Sequence, residues 1–472
     1  MQRPGIGVGA VTALQESCDA VQGELVYQQV AEALQGALYI DHSTSVAELG
    51  SLFEWQDDKP LQRLKREIAA AYGAAWSFPS TNGTTILNIL ALLSACPPGG
   101  RVLVNRDAHI SVTAGLIHGD LRPVYVVPEY DADLGLSLGP TLAGFKDALN
   151  REPVDCVFLT SPNYFGITGE LAEIVALAHE RGLPVVVDAA HAPHFHFCEG
   201  LPDGAEDLGA DLVCQSTHKV GSALSQASLL LIGNESFIPK IYEHVNDLGF
   251  VSTSFSYPIL ASLEFSIRQF VEQGESLWNR TIERANAFRR SAGSVPGISC
   301  FGRERAGRAG FRDVDPTRVT LDVSRTGLTG FQFSDRLVEE QIYPEMATLT
   351  QVLFLFTPGT AENDARRLLQ AVRGIAQRYG ARARVKTSQA PPPLSKMAVT
   401  PRAAKFASKE VVRTREANGR VSGETVATYP PGVPIIAAGE IVSGEAIEYL
   451  LYMRERGATL KGASDPSFQT LK

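Results

Sequence analysis

From about residue 60 onward the chain alternates two hydrophobic rhythms. LQRLKREIAAAYGA (61–74) sets Leu61, Leu64, Ile68 and Tyr72 on one face with charges between them, the spacing of an amphipathic helix. TTILNILALLSAC (84–96) is apolar almost throughout and begins directly after Asn82-Gly83, which predicts a helix buried on most sides. Short apolar runs follow: RVLVN (101–105), PVYVVP (123–128), DCVFLT (155–160), LPVVVD (183–188), DLVCQS (211–216) and ASLLLIG (227–233). ELAEIVALAHERG (170–182) places a helix between two of them. Strands that are apolar on both faces and separated by helices predict an open, doubly wound, mostly parallel α/β sheet.

The pattern then changes. FSYPILASLEFSIRQFVEQ (255–273) opens a long helical region reaching about residue 292. TRVTLDV (317–323) and QVLFLFT (351–357) read as strands and ENDARRLLQAVRGIAQRYG (362–380) as a helix, a second and smaller α/β region. Pro391-Pro392-Pro393 opens a stretch expected to have little order up to about residue 430, before a last helix at GEAIEYLLYMRERG (444–457). No internal repeat is visible. The expected organisation is an N-terminal segment (1–60), a large domain (61–300) and a smaller C-terminal α/β domain (301–472).

Composition narrows the function classes. The 472 residues carry 43 basic and 52 acidic side chains, a formal charge of −9, with no long Lys/Arg run. A nucleic-acid or anionic-membrane partner is therefore not expected. The six cysteines (Cys18, Cys96, Cys156, Cys198, Cys214 and Cys300) are scattered without a C-x-x-C pair, and read as buried thiols. No run approaches the roughly 20 apolar residues of a membrane helix, and no cleavable leader is apparent. A cytoplasmic protein is expected.

Candidate chemistry gathers at the ends of the strands. Asp188 closes the run Val185-Val186-Val187, and Lys219 follows the next strand in Ser216-Thr217-His218-Lys219. In doubly wound sheets ligands bind at that carboxyl edge. A pyridoxal 5′-phosphate (PLP) enzyme needs both groups: a lysine amine to hold the aldehyde as a Schiff base, and a carboxylate to keep the pyridine nitrogen protonated. Each alone is commonplace, since a lysine after a strand is usually solvated and an aspartate there usually caps a helix. Ser80-Thr81-Asn82-Gly83-Thr84-Thr85 precedes a helix N-terminus and could cradle a phosphate, although an ordinary capped helix needs the same residues. His109, in NRDAH (105–109), could stack on a flat ring or serve as a structural hydrogen bonder. His191, His194 and His196 lack partners at zinc spacings, so no metal is expected; a histidine-lined pocket beside Asp188 fits better.

These residues resemble the ornithine/lysine/arginine decarboxylases of the fold-type I PLP-dependent enzymes, specifically short bacterial members without an N-terminal wing. The matching pieces are STNGTTILN (80–88), NRDAH (105–109), VDAAHAPHFHF (187–197), QSTHK (215–219), ALSQAS (223–228), STSFSYPILASLE (252–264) and YPPGVPIIAAGE (429–440). The resemblance implies a seven-stranded large domain. It makes Lys219 the Schiff-base lysine and Asp188 the partner of the pyridine nitrogen. His109 would cover one ring face and Ala190 the other, with His191 beside them. Thr81, Asn82, Gly83, Thr84, Ser216 and His218 would surround the phosphate, and Ser252 would reach the neighbouring subunit's phosphate in a homodimer or higher homo-oligomer. Lys219 or His218 would return a proton to Cα. Glu440 would meet the distal cation of a basic amino acid; the alternatives that it caps a helix or pairs with an arginine stay open.

The sequence also departs from that family. A P-G-H-K segment expected near the N-terminus is replaced by IDHSTS (40–45), and D-E-A-H-G becomes Asp188-Ala189-Ala190-His191-Ala192. Phe255 stands where the family has proline, and Ile110 where a lysine is common. The main expectation is α-decarboxylation of arginine, lysine or ornithine. A PLP enzyme performing oxidation, elimination, cyclisation or C–C bond formation is the alternative, and an inactive regulatory homologue a third.

Overall fold

A computed structural model describes residues 59–248, 255–380, 385, 390–429, 433–462 and 467–471. The N-terminal segment, with IDHSTS (40–45), and Ser252 lie outside the described residues. The predicted helix at 61–74 is α1 (Pro60–Ala71). The central sheet contains β1 (Trp76–Ser80), β2 (Arg101–Asn105), β3 (Arg122–Val126), β4 (Cys156–Thr160), β5 (Val185–Asp188), β6 (Leu212–Gln215) and β7 (Ser228–Ile232). Their spatial order is β1-β7-β6-β5-β4-β2-β3. Only β7 runs against the others: it is antiparallel to both β1 and β6, while the remaining pairs are parallel. Side chains on the two faces fall into separate buried clusters. Leu103, Val157 and Val187 point to one, and Val102, Phe158 and Val186 to the other. Alternate positions along each strand need apolar cover, which is why these strands read as unbroken hydrophobic runs.

Helices α2 (Thr84–Ala95), α3 (Ile110–His118), α4 (Leu142–Arg151), α5 (Leu171–Glu180), the one-turn α6 (Thr217–Val220) and α7 (Ile238–Leu248) accompany the sheet. Strand β1 and helices α3, α4, α6 and α7 were not predicted. Pro79 inside β1 disguises the strand, and its partner β7 is remote in sequence.

Helix α8 (Tyr257–Gly293) joins the two halves of the molecule. At a rise of about 1.5 Å per residue its 37 residues span roughly 55 Å. Its first half packs Leu263, Ile267, Phe270 and Trp278 into the large-domain core, and its second half packs Ala285, Phe288 and Ala292 into the next. That second core surrounds a four-stranded sheet of β8 (Ser299–Cys300), β9 (Arg318–Asp322), β10 (Met346–Ala347) and β11 (Gln351–Leu355), in the order β8-β9-β11-β10. Helices α9 (Gly330–Glu339) and α10 (Glu362–Tyr379) cover it.

A further cluster follows, built from residues 412–458. It holds α11 (Pro401–Phe406) nearby, then β12 (Lys409–Arg413), β13 (Val426–Tyr429), β14 (Val433–Ile436), α12 (Gly444–Glu455), β15 (Thr459–Lys461) and β16 (Ser467–Leu471). The expectation of little order up to residue 430 is corrected by these elements. β12 pairs with β16 and β13 with β15, both from the end of the chain. Order there depends on distant partners that no local pattern reveals.

Candidate active site

Five segments end at the carboxyl edge of the sheet and surround one cavity of about 460 Å³. After β1 comes the loop Thr81–Gly83. Gly83 sits at φ +80°, a left-handed conformation that a side chain would strain, and becomes the N-cap of α2. No side chain caps that helix, so its first-turn amides are free to meet an anion. Thr84 Oγ1 donates to the Gln215 carbonyl (3.0 Å) and lies 2.6 Å from Ser216 Oγ. The loop after β1 and the end of β6 are thus stitched together.

Asp188 ends β5 and is buried. Its carboxylate accepts from Asn88 Nδ2 (2.8 Å) and from the Ala190 amide (3.1 Å). Asn88 in turn donates to Ser111 Oγ (3.0 Å). His109, at the N-cap of α3, accepts the Ser111 amide at Nδ1 (3.2 Å), which leaves Nε2 as the protonated nitrogen. Desolvation holds the His109 imidazole below its ordinary pKa, against the pull of Asp188. Asn88 was missed by sequence reasoning. Its position one turn inside a buried helix, facing the predicted aspartate, is the only trace it leaves.

Lys219 lies on α6, with Nζ 3.1 Å from His191 Nε2 and 5.8 Å above the Tyr164 ring. Burial lowers the Lys219 ammonium pKa; Asp188 pulls it back up, and Arg318 adds to the lowering. His218 donates from Nδ1 to the Ala227 carbonyl (2.8 Å), so its Nε2 carries a lone pair at the cavity wall. Ala190, Ser216, Asn82, Gly83 and Thr84 line the same space. Thr81 is buried beside them and does not line the cavity.

The three histidines of the 191–196 run separate. His191 lines the cavity, and its ring packs at 4.5 Å from Tyr164. His194 is buried against Trp278 (4.2 Å between centroids) and Asp315 (3.3 Å). His196 turns outward, its Nδ1 2.7 Å from Asp207. A shared histidine pocket is therefore not formed; the chain's change of direction at 192–196 points each ring to a different neighbour.

Glu440 is the principal correction. Its two carboxylate oxygens accept from Arg106 Nη1 and Nη2, each at 2.8 Å, and one also accepts the Ala437 amide at 2.8 Å. It is 1% exposed and does not line the cavity. With its charge matched inside the protein, it is not placed to meet a substrate cation. The carboxylate that does line the cavity, besides Asp188, is Asp107. Asn105 Nδ2 donates to Asp107 Oδ1 (2.6 Å), and burial pushes the Asp107 carboxyl up to about 6.

The far wall comes from beyond the large domain: Leu349 beside the four-stranded sheet, Phe331 between the other two cores, and Ile435, Tyr449 and Met453 from the last. Phe255, at the substituted position, is buried against Tyr257 at 5.0 Å, in a small cluster with Leu61 and Leu260.

A helix N-terminus open to an anion, a buried aspartate held by an asparagine, the His109 imidazole at the cavity wall and a desolvated lysine amine fit the groups that PLP requires.

The pattern described as Orn/Lys/Arg decarboxylase, major domain, matches residues 22–364, and the corresponding C-terminal domain matches 384–465. The chain belongs to this family of decarboxylating lyases. It is 35% identical to the arginine decarboxylase of Bacillus subtilis (strain 168) over 421 residues, which cover 88% of this chain and 85% of that one. The fold is similar to that of the Escherichia coli constitutive lysine decarboxylase, with a TM-score of 0.76 and 22% identity over 98% of this chain and 81% of the other. A solved SPT containing PLP shares the fold more distantly, at a TM-score of 0.53 and 15% identity over 72% of this chain and 83% of that one. Among the described residues no helix is long and apolar enough to cross a membrane.

Proposed function

We propose that the protein removes the α-carboxyl group of a free, basic amino acid as CO2, using PLP held by Lys219. The observation that carries this reading is the Lys219 amine, 3.1 Å from His191 Nε2 in the cavity that Asp188 also lines. When bound, the cofactor supplies an aldehyde for the substrate amine and a protonated ring to take up the electron pair of the broken Cα–carboxylate bond. The chain's own groups do the rest. Asp188, fixed by Asn88 and the Ala190 amide, holds the proton on the ring nitrogen. The open N-terminus of α2, with Thr84 and Ser216 beside it, holds the phosphate. His109 and Ala190 bound the two ring faces. Leu136, Phe165, Leu349 and Met453 give the cavity apolar walls, a setting that favours loss of a charged carboxylate as neutral CO2. With the cofactor and substrate bound, the Lys219 amine would return a proton to Cα, with His218 beside it. The balance is an amino acid and one proton in, and an amine and CO2 out.

The distal cation of the substrate is assigned to Asp107. Among the described residues its carboxylate accepts from the neutral Asn105 side chain and its own backbone amide, with no cation beside it, and a half-buried carboxylate without a cation favours a substrate that brings one. The protein is expected to act as a homodimer, Ser252 closing the partner's site. Incubating purified protein with a panel of amino acids, while CO2 and product mass are read together, tests the function. Release of CO2 with the matching amine from arginine, lysine or ornithine is the expected result. Turnover that consumes amino acid without CO2 would overturn it.

A further inference from the structure

Arg318 opens β9, outside the central sheet, yet its fully buried guanidinium reaches His191 from behind the cavity wall. Nη1 donates to the Tyr164 carbonyl at 2.9 Å, and Nε lies 3.7 Å from Asp315 Oδ2. Nη2 meets His191 Nδ1 at 2.6 Å. Asp315 is itself tied down: it accepts from the Thr317 amide and hydroxyl at 2.8 and 2.6 Å and faces His194 at 3.3 Å. The guanidinium is therefore held on two sides, and Nη2 points an N–H at the imidazole.

Donor and acceptor accounting does the rest. A guanidinium has five donors and no acceptor, so His191 Nδ1 must present its lone pair. A second proton on the ring would place three cations side by side, so the single hydrogen sits on Nε2. That N–H faces Lys219 Nζ at 3.1 Å, and a hydrogen bond donated to lysine needs a lone pair on Nζ. We propose that Arg318 is a positioning residue that fixes the tautomer of His191 and, through it, presents Lys219 to the cofactor as a free amine. The amine then bonds to the aldehyde carbon, and the carbonyl oxygen leaves as water with the amine's two protons. Around the pair, Asp188 and Glu345 favour a charged lysine, whereas Arg318 and burial oppose it. On His191, burial, Lys219, Arg318, His109 and His218 all oppose a charge. Arg318 does not line the cavity, and its hydrogen-bonded route to Lys219 runs through the His191 ring. The inference rests on the reading that Lys219 carries PLP; borohydride trapping of PLP on Lys219 tests that reading separately.

The test reads Lys219 itself. In the full chain freed of cofactor, acetylation of Lys219 is followed by peptide mass spectrometry across pH, with exposed Lys240 as internal reference. His191→Gln can still aim an N–H at Lys219, whereas His191→Asn can accept from Arg318 but is too short to reach the lysine. The midpoint for Lys219 should stay near the wild-type value in H191Q and rise by about one pH unit or more in H191N, a tenfold loss of free amine at a fixed lower pH. Arg318→Met should raise the midpoint similarly in the parent, and most of that rise should vanish in the H191Q background. An equal rise in both backgrounds would show that Arg318 acts directly by charge, and would overturn the proposal. If R318M fails to fold, the histidine pair decides: an unchanged Lys219 midpoint in H191N refutes it.

Discussion

Replacing Glu440 by glutamine separates a structural role from substrate recognition. The carboxylate is 1% exposed and its partner Arg106 9%. Both guanidinium forks donate to it, Arg106 also donates to the Ile435 carbonyl at 3.0 Å, and its guanidinium stacks 4.6 Å from the Tyr125 ring centroid. Glutamine keeps the shape but turns one acceptor into an N–H that faces another N–H, and it leaves the guanidinium charge buried and uncompensated. Breaking one side of a buried pair in this way costs about 3–5 kcal/mol. The pair also links the segment that carries His109 to the last core, whose Ile435, Tyr449 and Met453 wall the cavity. Loosening it should therefore lower kcat/KM by a similar factor for arginine, lysine and norleucine. Urea unfolding and steady-state kinetics on the same preparation make the check. The double variant Arg106→Met/Glu440→Leu, which removes both charges, should be more stable than either single charge deletion. A rise in KM confined to the cationic amino acids, with stability intact, would refute this reasoning and return Glu440 to the substrate.

Three other outcomes follow from the site. Asp188→Asn should still bind PLP yet lose two or more orders of magnitude in turnover, since an ion pair shifts the ring nitrogen by about 1–3 pKa units and about 1.4 kcal/mol of barrier is tenfold in rate; near-normal turnover would exclude Asp188 as the ring partner. Asp107 is ionised above about 6 and protonated below it, so the preference for lysine over norleucine in kcat/KM should fall as pH drops through that value, and Asp107→Asn should abolish both the preference and its pH dependence. Sedimentation of the active enzyme should show at least a homodimer; full activity in a monomer would remove the role expected of Ser252.

Much of this protein is written locally. The runs 101–105, 155–160 and 183–188 are strands because they are apolar on both faces, 84–96 is a helix too long and apolar to be a strand, and 362–380 is a helix because its apolar positions follow a helical period. Asp188, Lys219, His109 and Ser216 were legible because each stands at or just past the end of such a strand, and the loop before α2 because it precedes an apolar helix. The chain order of the strands then leaves them all at one edge. The pairing of β1 with β7, the elements between 400 and 430, the Arg106–Glu440 clamp and the contact of Arg318 with His191 were not legible. Each joins residues far apart in sequence, and none has a period or a spacing of its own. The same Glu440 could serve as substrate anchor, helix cap or ion-pair partner until packing set Arg106 against it. A side chain's type states what chemistry it can do; only the tertiary structure decides which partner satisfies it first, because a buried charge is held by whichever opposite charge the fold brings within reach.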